Sequence, residues 1–536
     1  MIKKILLLLF ISLSSLAADL LVQVDRGLLQ HDPHMLKNQA ILQNLYNQRL
    51  NQPLWLRGNK IRSQKLGELL NIIDRDITLN TKGYIFKKAQ EIKRDIRKKH
   101  TQTGLLQLEL KLTSLYYNFI QHTIYGEIDW KNFHAKLRSL NQNNKIKADW
   151  EQYPLRFDIL ELLAQDNVTQ TIQSITPKGY RYHKLLEALY RLYKVRHNGG
   201  WGVLPAFKTL KMGNSSAIVP KLRRRLSLSG DYKNCTSKGG NYFDSCLNKA
   251  VKRFQRRHGL TPDGAVGRGT QRLLNISVEK KIQTVLLNLD RIKWLPRDRS
   301  NRYIIVNIPE YMLYFYEYKQ ERQQLKVIVG DTKHPTPVFS NKISYIVLNP
   351  YWKVPEGIVK REIIPKMIKN SNYIKRQGLE AHTSWEENSS VVSLQNINWH
   401  KYLAEGVTFP YKLMQPPGPR NALGKIKFKF PNKFAVYLHD TPTKHLFKKK
   451  RRAFSHGCVR LSNPLSLLKS IEAQNPSIDP TRVKTTLAGK QKRQITIDNK
   501  IPINLVYLTA KVNANNELVF GDDIYNYDKY QRRIIR

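Results

Sequence analysis

At 536 residues, 41% hydrophobic and 10% aromatic, the chain is too long for one compact core and too apolar to be disordered. Roughly two to four folded domains are expected. The 91 Lys and Arg against 41 Asp and Glu give a net charge of +50, spread along the length, which favours polyanionic partners such as nucleic acid, anionic lipid or acidic wall polymer without selecting among them.

The first residues, "MIKKILLLLFISLSSLAADLL", place Lys3 and Lys4 before an apolar run from Ile5 to Leu13, with Ser15 and Ala17 suiting the −3 and −1 positions of a cleavage site. This predicts a signal peptide over residues 1–17. A retained anchor is the alternative, although the run is shorter than the roughly 20 apolar residues a span requires. Export makes nucleic acid the least expected of the polyanions. It also puts the thiols in an oxidising compartment, where Cys235 and Cys246 are near enough in sequence to close a small loop and Cys458 is left over. The count does not decide whether Cys458 is an inert buried thiol or a reactive one.

Residues 18–200 are read as a helical scaffold, since "LLQLELKLTSLYYNFIQHTIYG" and "YHKLLEALYRLYKVRH" repeat apolar residues three and four apart until "NGGWGVLP" breaks the pattern. Residues 208–275 form a small separate module. Val219, Leu222 and Leu226 share one helical face, and Leu247, Val251 and Phe254 share another. The second helix stops at His258-Gly259, and Asp263-Gly264 turns the chain into a third. A helical connector fills 276–301.

From 302 to 470 the period changes to two, with "RYIIVNIPEYMLYFYEYKQERQQLKVIVGD", "SYIVLNPYWKVP" and "KIKFKFPNKFAVYLHD" predicting a mainly β domain. Within it, residues 355–420 are polar and loop-rich, an insertion expected to act as a lid. The remainder, 471–536, is read as a C-terminal extension with a hairpin turned at Asn513 to Asn516.

The chemistry-bearing stretch is "AFSHGCVRL", residues 453–461, preceded by a strand that ends at His439, nineteen residues before Cys458. A cysteine nucleophile needs a neighbour that handles protons near neutral pH, and His439 and His456 both qualify. Gly457 lets the backbone bend closely around the sulfur, so its amide or that of Cys458 could meet an oxyanion. Three other readings stay open on the residues alone. Cys458 could be a core thiol, His439, His456 and Cys458 could form an incomplete zinc set, and His456 could be a structural histidine.

Two resemblances narrow these readings. "FQRRHGLTPDGAVGRGTQRLLN" resembles the three-helix peptidoglycan-binding domain, through Phe254, Gln255, Gly259, Asp263, Gly264, Gly267 and Thr270. "HDTPTKHLFKKKRRAFSHGCVRLSNP", from His439 to Pro464, resembles the L,D-transpeptidase catalytic domain. "TPVFS" at 336–340, "NPYWKVP" at 349–355 and "PPGPRNALGKIKFKFPN" at 416–432 are similar to the large periplasmic L,D-transpeptidases of Gram-negative bacteria. The resemblance implies a multidomain α+β protein: a helical scaffold, a three-helix wall-binding module and a mainly β catalytic domain with an inserted lid. It implies Cys458 as nucleophile, His439 as proton donor and acceptor, and His456 as support for the thiolate or oxyanion. Gly457 and Ser455 would shape the turn, with Ser455 also counted among the substrate contacts, and Arg460 would meet a stem-peptide carboxylate. No metal or cofactor is implied. The implied partners are donor and acceptor stem peptides, with association with other cell-wall synthesis proteins also open. The implied reaction cleaves the terminal D-Ala from a tetrapeptide through a thioester and forms a 3→3 cross-link. Amino-acid exchange, protein attachment, hydrolysis and a non-catalytic wall-binding scaffold are the alternatives. The run "KKKRR" at 448–452 is read as a solvated loop or an attraction to anionic wall polymer, and Trp201 and Trp352 as core or platform residues.

Overall fold

The computed structural model describes residues 21–233, 235, 239–297, 300–395, 397–404 and 406–532, so the expected signal peptide lies outside the described residues. The N-terminal part is helical and built around α1 (Gln102–Tyr125), whose Leu108, Leu112, Leu115 and Phe119 are buried against the surrounding shorter helices. One buried side chain on α1 is charged. Glu109 accepts the Tyr46 hydroxyl at 2.7 Å and the amides of Leu54 at 2.5 Å and Trp55 at 3.0 Å, which lets a carboxyl group sit in an apolar core. The last scaffold helix, α2 (Tyr182–His197), ends at the Asn198-Gly199-Gly200 break.

The small module consists of α3 (Val219–Leu228), α4 (Ser245–Arg257) and α5 (Arg268–Leu274). Leu222, Leu226, Leu247, Val251 and Phe254 meet in its core, as the helical period requires. Gln255 holds the turn after α4, donating to Asp263 at 2.7 Å and to the Ala265 carbonyl at 2.9 Å and accepting the Gly264 amide at 2.9 Å. Cys235 and Cys246 are disulfide-bonded across the insertion between α3 and α4. The connector is one helix, α6 (Val278–Lys293), packed along α2. Trp201 lies beneath the buried Arg225, whose guanidinium stacks 3.9 Å from its ring.

The region that follows α6 is a nine-stranded mixed sheet. Its strands are β1 (Arg302–Asn307), β2 (Met312–Glu317), β3 (Gln320–Gly330), β4 (Phe339–Leu348), β5 (Ile426–Lys429), β6 (Leu438–His439), β7 (Ala453–Ser455), β8 (Val459–Leu461) and β9 (Arg493–Val506). They run in the order β7-β3-β8-β6-β5-β4-β9-β1-β2, and a further pairing of β2 with β3 closes the sheet on itself. The enclosed face carries Ile304, Val327, Ile346, Phe428, Leu438, Val459 and Ile503, each fully buried. Each such aliphatic side chain contributes about 1.5–3 kcal/mol of burial. Scaffold residues Phe133, Leu137 and Trp150 belong to the same core, and Trp150 bridges to Val338.

Two expectations are corrected. The β domain expected over 302–470 does not end there, because β9 lies between β4 and β1 and pairs with both. The hairpin of Ala510–Val512 and Leu518–Phe520 follows it. The insertion at 355–420 also holds more order than expected, although 383–390 and 406–411 carry no helix or strand. Trp352–Lys353, Lys412–Gln415, Glu380–His382 and Val391–Val392 form a four-stranded antiparallel sheet over a core that includes Ile363, Met367, Trp399, Phe409 and Leu413. Strands of two to four residues leave too little alternation to recognise, whereas clustered aromatics can still close a small core. Trp352 packs at the edge of that core.

Candidate active site

Strand parity builds the site. β6 runs parallel to β8, with Leu438 opposite Val459 and His439 opposite Arg460, and antiparallel to β5, with His439 opposite Lys427. Since successive side chains alternate, Phe428, Leu438 and Val459 fill the enclosed core while Lys427, Tyr437, His439, Cys458 and Arg460 share the other face. The sheet therefore brings together three residues expected from sequence, Cys458, His439 and Arg460, and adds Lys427 and Tyr437.

His439 is buried, and its Nδ1 donates to the Asp440 carbonyl at 2.5 Å. That bond fixes the neutral tautomer with the lone pair on Nε2, the form a general base requires. Asp440 is itself held, its carboxylate accepting the Lys425 amide at 2.9 Å, the Thr441 amide at 2.7 Å and Lys444 at 2.5 Å. Gly424 allows this packing, because a side chain there would run into the Asp440 carboxylate. Burial, and then the positive charge of Arg460, push the His439 imidazole down to about 3.

The Cys458 thiol is pushed up by burial, against the opposing pull of Tyr437, Lys427 and Arg460. It makes a long contact of 3.9 Å to the Ala435 carbonyl. Lys427 is brought down to about 8 by burial and by Lys429, and its Nζ lies 3.7 Å from the centre of the Tyr437 ring. Tyr437 also packs edge-on to His439, with ring centres 5.6 Å apart. Both shifts favour the neutral forms of the thiol and the imidazole at rest.

The turn that carries sulfur is over-determined. Gly457 has φ +109, a conformation that side-chain-bearing residues rarely adopt. The Ser455 hydroxyl donates to the Cys458 carbonyl at 2.5 Å and accepts the Gly457 amide at 3.2 Å. Ser455 is 2% exposed with its hydroxyl consumed in this way, a placement that suits shaping the turn and not touching substrate. The Gly457 amide, one of the two oxyanion donors expected, is already engaged by Ser455. Thr336 donates to the Gly457 carbonyl at 2.8 Å and accepts the Gly330 amide at 2.8 Å, while the Tyr525 hydroxyl accepts the Thr336 amide at 3.1 Å and donates to the Gly330 carbonyl at 2.7 Å.

His456 faces away from this chemistry. Its Nε2 pairs with Glu362, from the π-helical turn Val359–Ile363 of the insertion, and its ring lies 4.6 Å from that of His334. His456 therefore joins the catalytic turn to the insertion. Arg460 makes one long contact, from Nη1 to the Thr443 hydroxyl at 3.4 Å, and its buried Nε has no hydrogen-bond partner. Among the described residues it has no carboxylate partner, which leaves an uncompensated positive fork beside the thiol.

Lys427, Tyr437, Thr336, Tyr525 and Glu362 were not singled out by the sequence. The first two had a usable signal, since Tyr437 shares parity with His439 on one strand and Lys427 alternates with buried Ile426 and Phe428 on the next.

Three families match in sequence. Residues 301–483 match YkuD, the L,D-transpeptidase catalytic domain; residues 40–189 match the Scaffold domain; and residues 215–274 match the family described as "Putative peptidoglycan binding domain". A Haemophilus influenzae protein named "Putative L,D-transpeptidase" is 35% identical over 247 residues, 46% of this chain, and the chain spans about half of that relative, 48% of its length. Among solved structures, an L,D-transpeptidase from Mycobacterium smegmatis shares 10% identity at a TM-score of 0.18, covering 38% of this chain and 58% of that one. One from Stackebrandtia nassauensis shares 15% at 0.19, covering 56% and 95%. The chain carries an L,D-transpeptidase catalytic domain of the YkuD family joined to a peptidoglycan-binding domain.

Proposed function

We propose that the protein is a periplasmic L,D-transpeptidase of a Gram-negative bacterium, exported by its N-terminal segment, that forms 3→3 cross-links in peptidoglycan. The observation that carries this reading is the shared face of Cys458, His439 and Arg460, with the histidine's lone pair on Nε2 and the guanidinium lacking a carboxylate. In the first step Arg460 receives a carboxylate of a tetrapeptide stem. Cys458 Sγ attacks the carbonyl carbon of the third residue as His439 Nε2 takes the thiol proton. Lys427 and Arg460 face the oxyanion that develops. Collapse breaks the peptide bond, His439 returns the proton to the departing D-Ala amine, and a thioester remains on Cys458. In the second step the side-chain amine of another stem attacks the thioester, His439 accepts its proton, and the thiol is regenerated. Water competes for the thioester, and the insertion joined to the catalytic turn by Glu362 and His456 is one means of excluding it.

Incubating the protein and a Cys458→Ala variant with disaccharide-tetrapeptide tests the reading. Dimer with released D-Ala is expected from the native protein alone. Tripeptide without dimer would replace the transferase by a hydrolase, and no turnover would remove the enzyme. A carbapenem adduct on Cys458 is a further expected outcome.

A further inference from the structure

A cavity of about 1140 Å³ lies apart from Cys458, between the small module, the outer face of β1 and β2, and the C-terminal hairpin. It is larger than the roughly 300–1000 Å³ of ordinary small-molecule pockets. Nine Lys and Arg line it against three acids. Two of those acids are already engaged, Glu310 by Lys511 at 2.8 Å and Glu321 by the Tyr316 hydroxyl at 3.2 Å. The cations Lys178, Arg256, Lys319 and Lys450 are exposed on its walls and have no acidic partner among the described residues. Tyr303, Tyr314 and Tyr316 also line it, Tyr303 stacked on Tyr316 with ring centres 4.9 Å apart and Tyr314 lying under Lys511 at 3.9 Å. One wall is the end of α4, with Arg256, Arg257 and Gly259, so the cavity continues the wall-binding module onto the catalytic domain. The opposite wall reaches the catalytic strand through Arg452, which donates to the Tyr311 carbonyl at 2.9 Å.

We propose that this cavity is a second, non-catalytic binding site for an extended peptidoglycan strand, whose stem carboxylates meet the free cations. It rests on the peptidoglycan reading above and adds to it an anchoring site that positions a polymer between module and catalytic domain. Attraction of this kind is screened by salt, so binding should weaken as ionic strength rises.

The test measures binding of soluble, uncross-linked strands bearing tetrapeptide stems to the full chain in a Cys458→Ala background. R256E/K319E/K450E should weaken binding by about tenfold or more, because three exposed charges are reversed in one site. K484E/K490E/K500E makes the same net change elsewhere and should alter it by less than about twofold. Equal weakening in both triple variants, or none in the first, overturns the proposal, provided melting curves show both folded. Acylation of Cys458 by monomeric disaccharide-tetrapeptide, measured with the native thiol present, should be unchanged by R256E/K319E/K450E. If the monomer never acylates the native protein, the catalytic reading fails while strand binding still reports on the cavity.

Discussion

Arg460→Gln tests the substrate contact directly. The guanidinium stands opposite His439, has a buried Nε with no partner and makes only a 3.4 Å contact with Thr443, so its removal breaks little inside the protein. A hydrogen bond to a charged group is worth about 1.5–3 kcal/mol, which corresponds to roughly 10- to 150-fold in the acylation rate constant at low donor concentration. A second effect moves the pH profile. Arg460 supplies the leading electrostatic push on His439 after burial, so the variant's imidazole should titrate higher and its acid limb should shift toward neutrality. The assay is single-turnover acylation of Cys458 followed by intact mass, using a tetrapeptide donor and the same donor with its C-terminal carboxylate converted to a carboxamide. Amidation should cost the native protein the full factor and cost Arg460→Gln little more, because both changes remove one interaction. If amidation slows both proteins by the same factor, Arg460 does not bind that carboxylate.

The depressed His439 has two pH signatures. The imidazole stays neutral until the pH falls toward about 3, so the acylation rate should be flat between pH 5 and 7, and an acid limb near 6.5 would contradict the neutral pair. Because the folded value lies below the unfolded one, the group's stabilising contribution is complete above about pH 6.5 and is lost as pH falls, reaching about 2–3 kcal/mol lost by pH 4.5 relative to a His439→Gln variant in denaturant titrations. Gly457→Ala should slow acylation at least about tenfold and lower the unfolding free energy by about 1–3 kcal/mol, since neighbours at 3.8–3.9 Å leave room for the methyl group but φ +109 is strained for a residue with a side chain. Glu109→Ala should lower unfolding free energy by about 2–5 kcal/mol, because the Leu54 and Trp55 amides lose their acceptor in the core, while acylation kinetics stay as in the native protein.

The order His439, Ser455, His456, Gly457, Cys458, Arg460 was legible because a nucleophile, its base and the turn between them fall on one short stretch of chain. The division of labour within that stretch was not. Ser455 and His456 are neighbours in sequence, yet one turns into the core and the other toward the insertion, and strand parity alone does not say what waits on either side. Thr336 supports the catalytic turn by a bond to Gly457 across 121 residues, and Tyr525 holds Thr336 across 189, distances that local pattern does not cross. β9 was hidden for a related reason. It opens with the polar "RQITIDNK", holds Pro502 in its interior and bends between Thr496 and Ile501, so its alternation is broken although it lies between two strands of the sheet. Glu109 looked like one charged residue on a helical face, and only the fold shows three donors converging on it.

In the proposed reaction Cys458 forms a thioester with the donor stem while His439 carries the proton. Intact mass spectrometry of the native protein, quenched in acid after brief exposure to disaccharide-tetrapeptide, measures it most directly. The expected result is an added mass equal to the donor less D-Ala, localised to the peptide containing Cys458, released by hydroxylamine, and absent from Cys458→Ala. An adduct that persists in Cys458→Ala, or a native protein that turns donor over with its thiol still open to alkylation throughout, would contradict it.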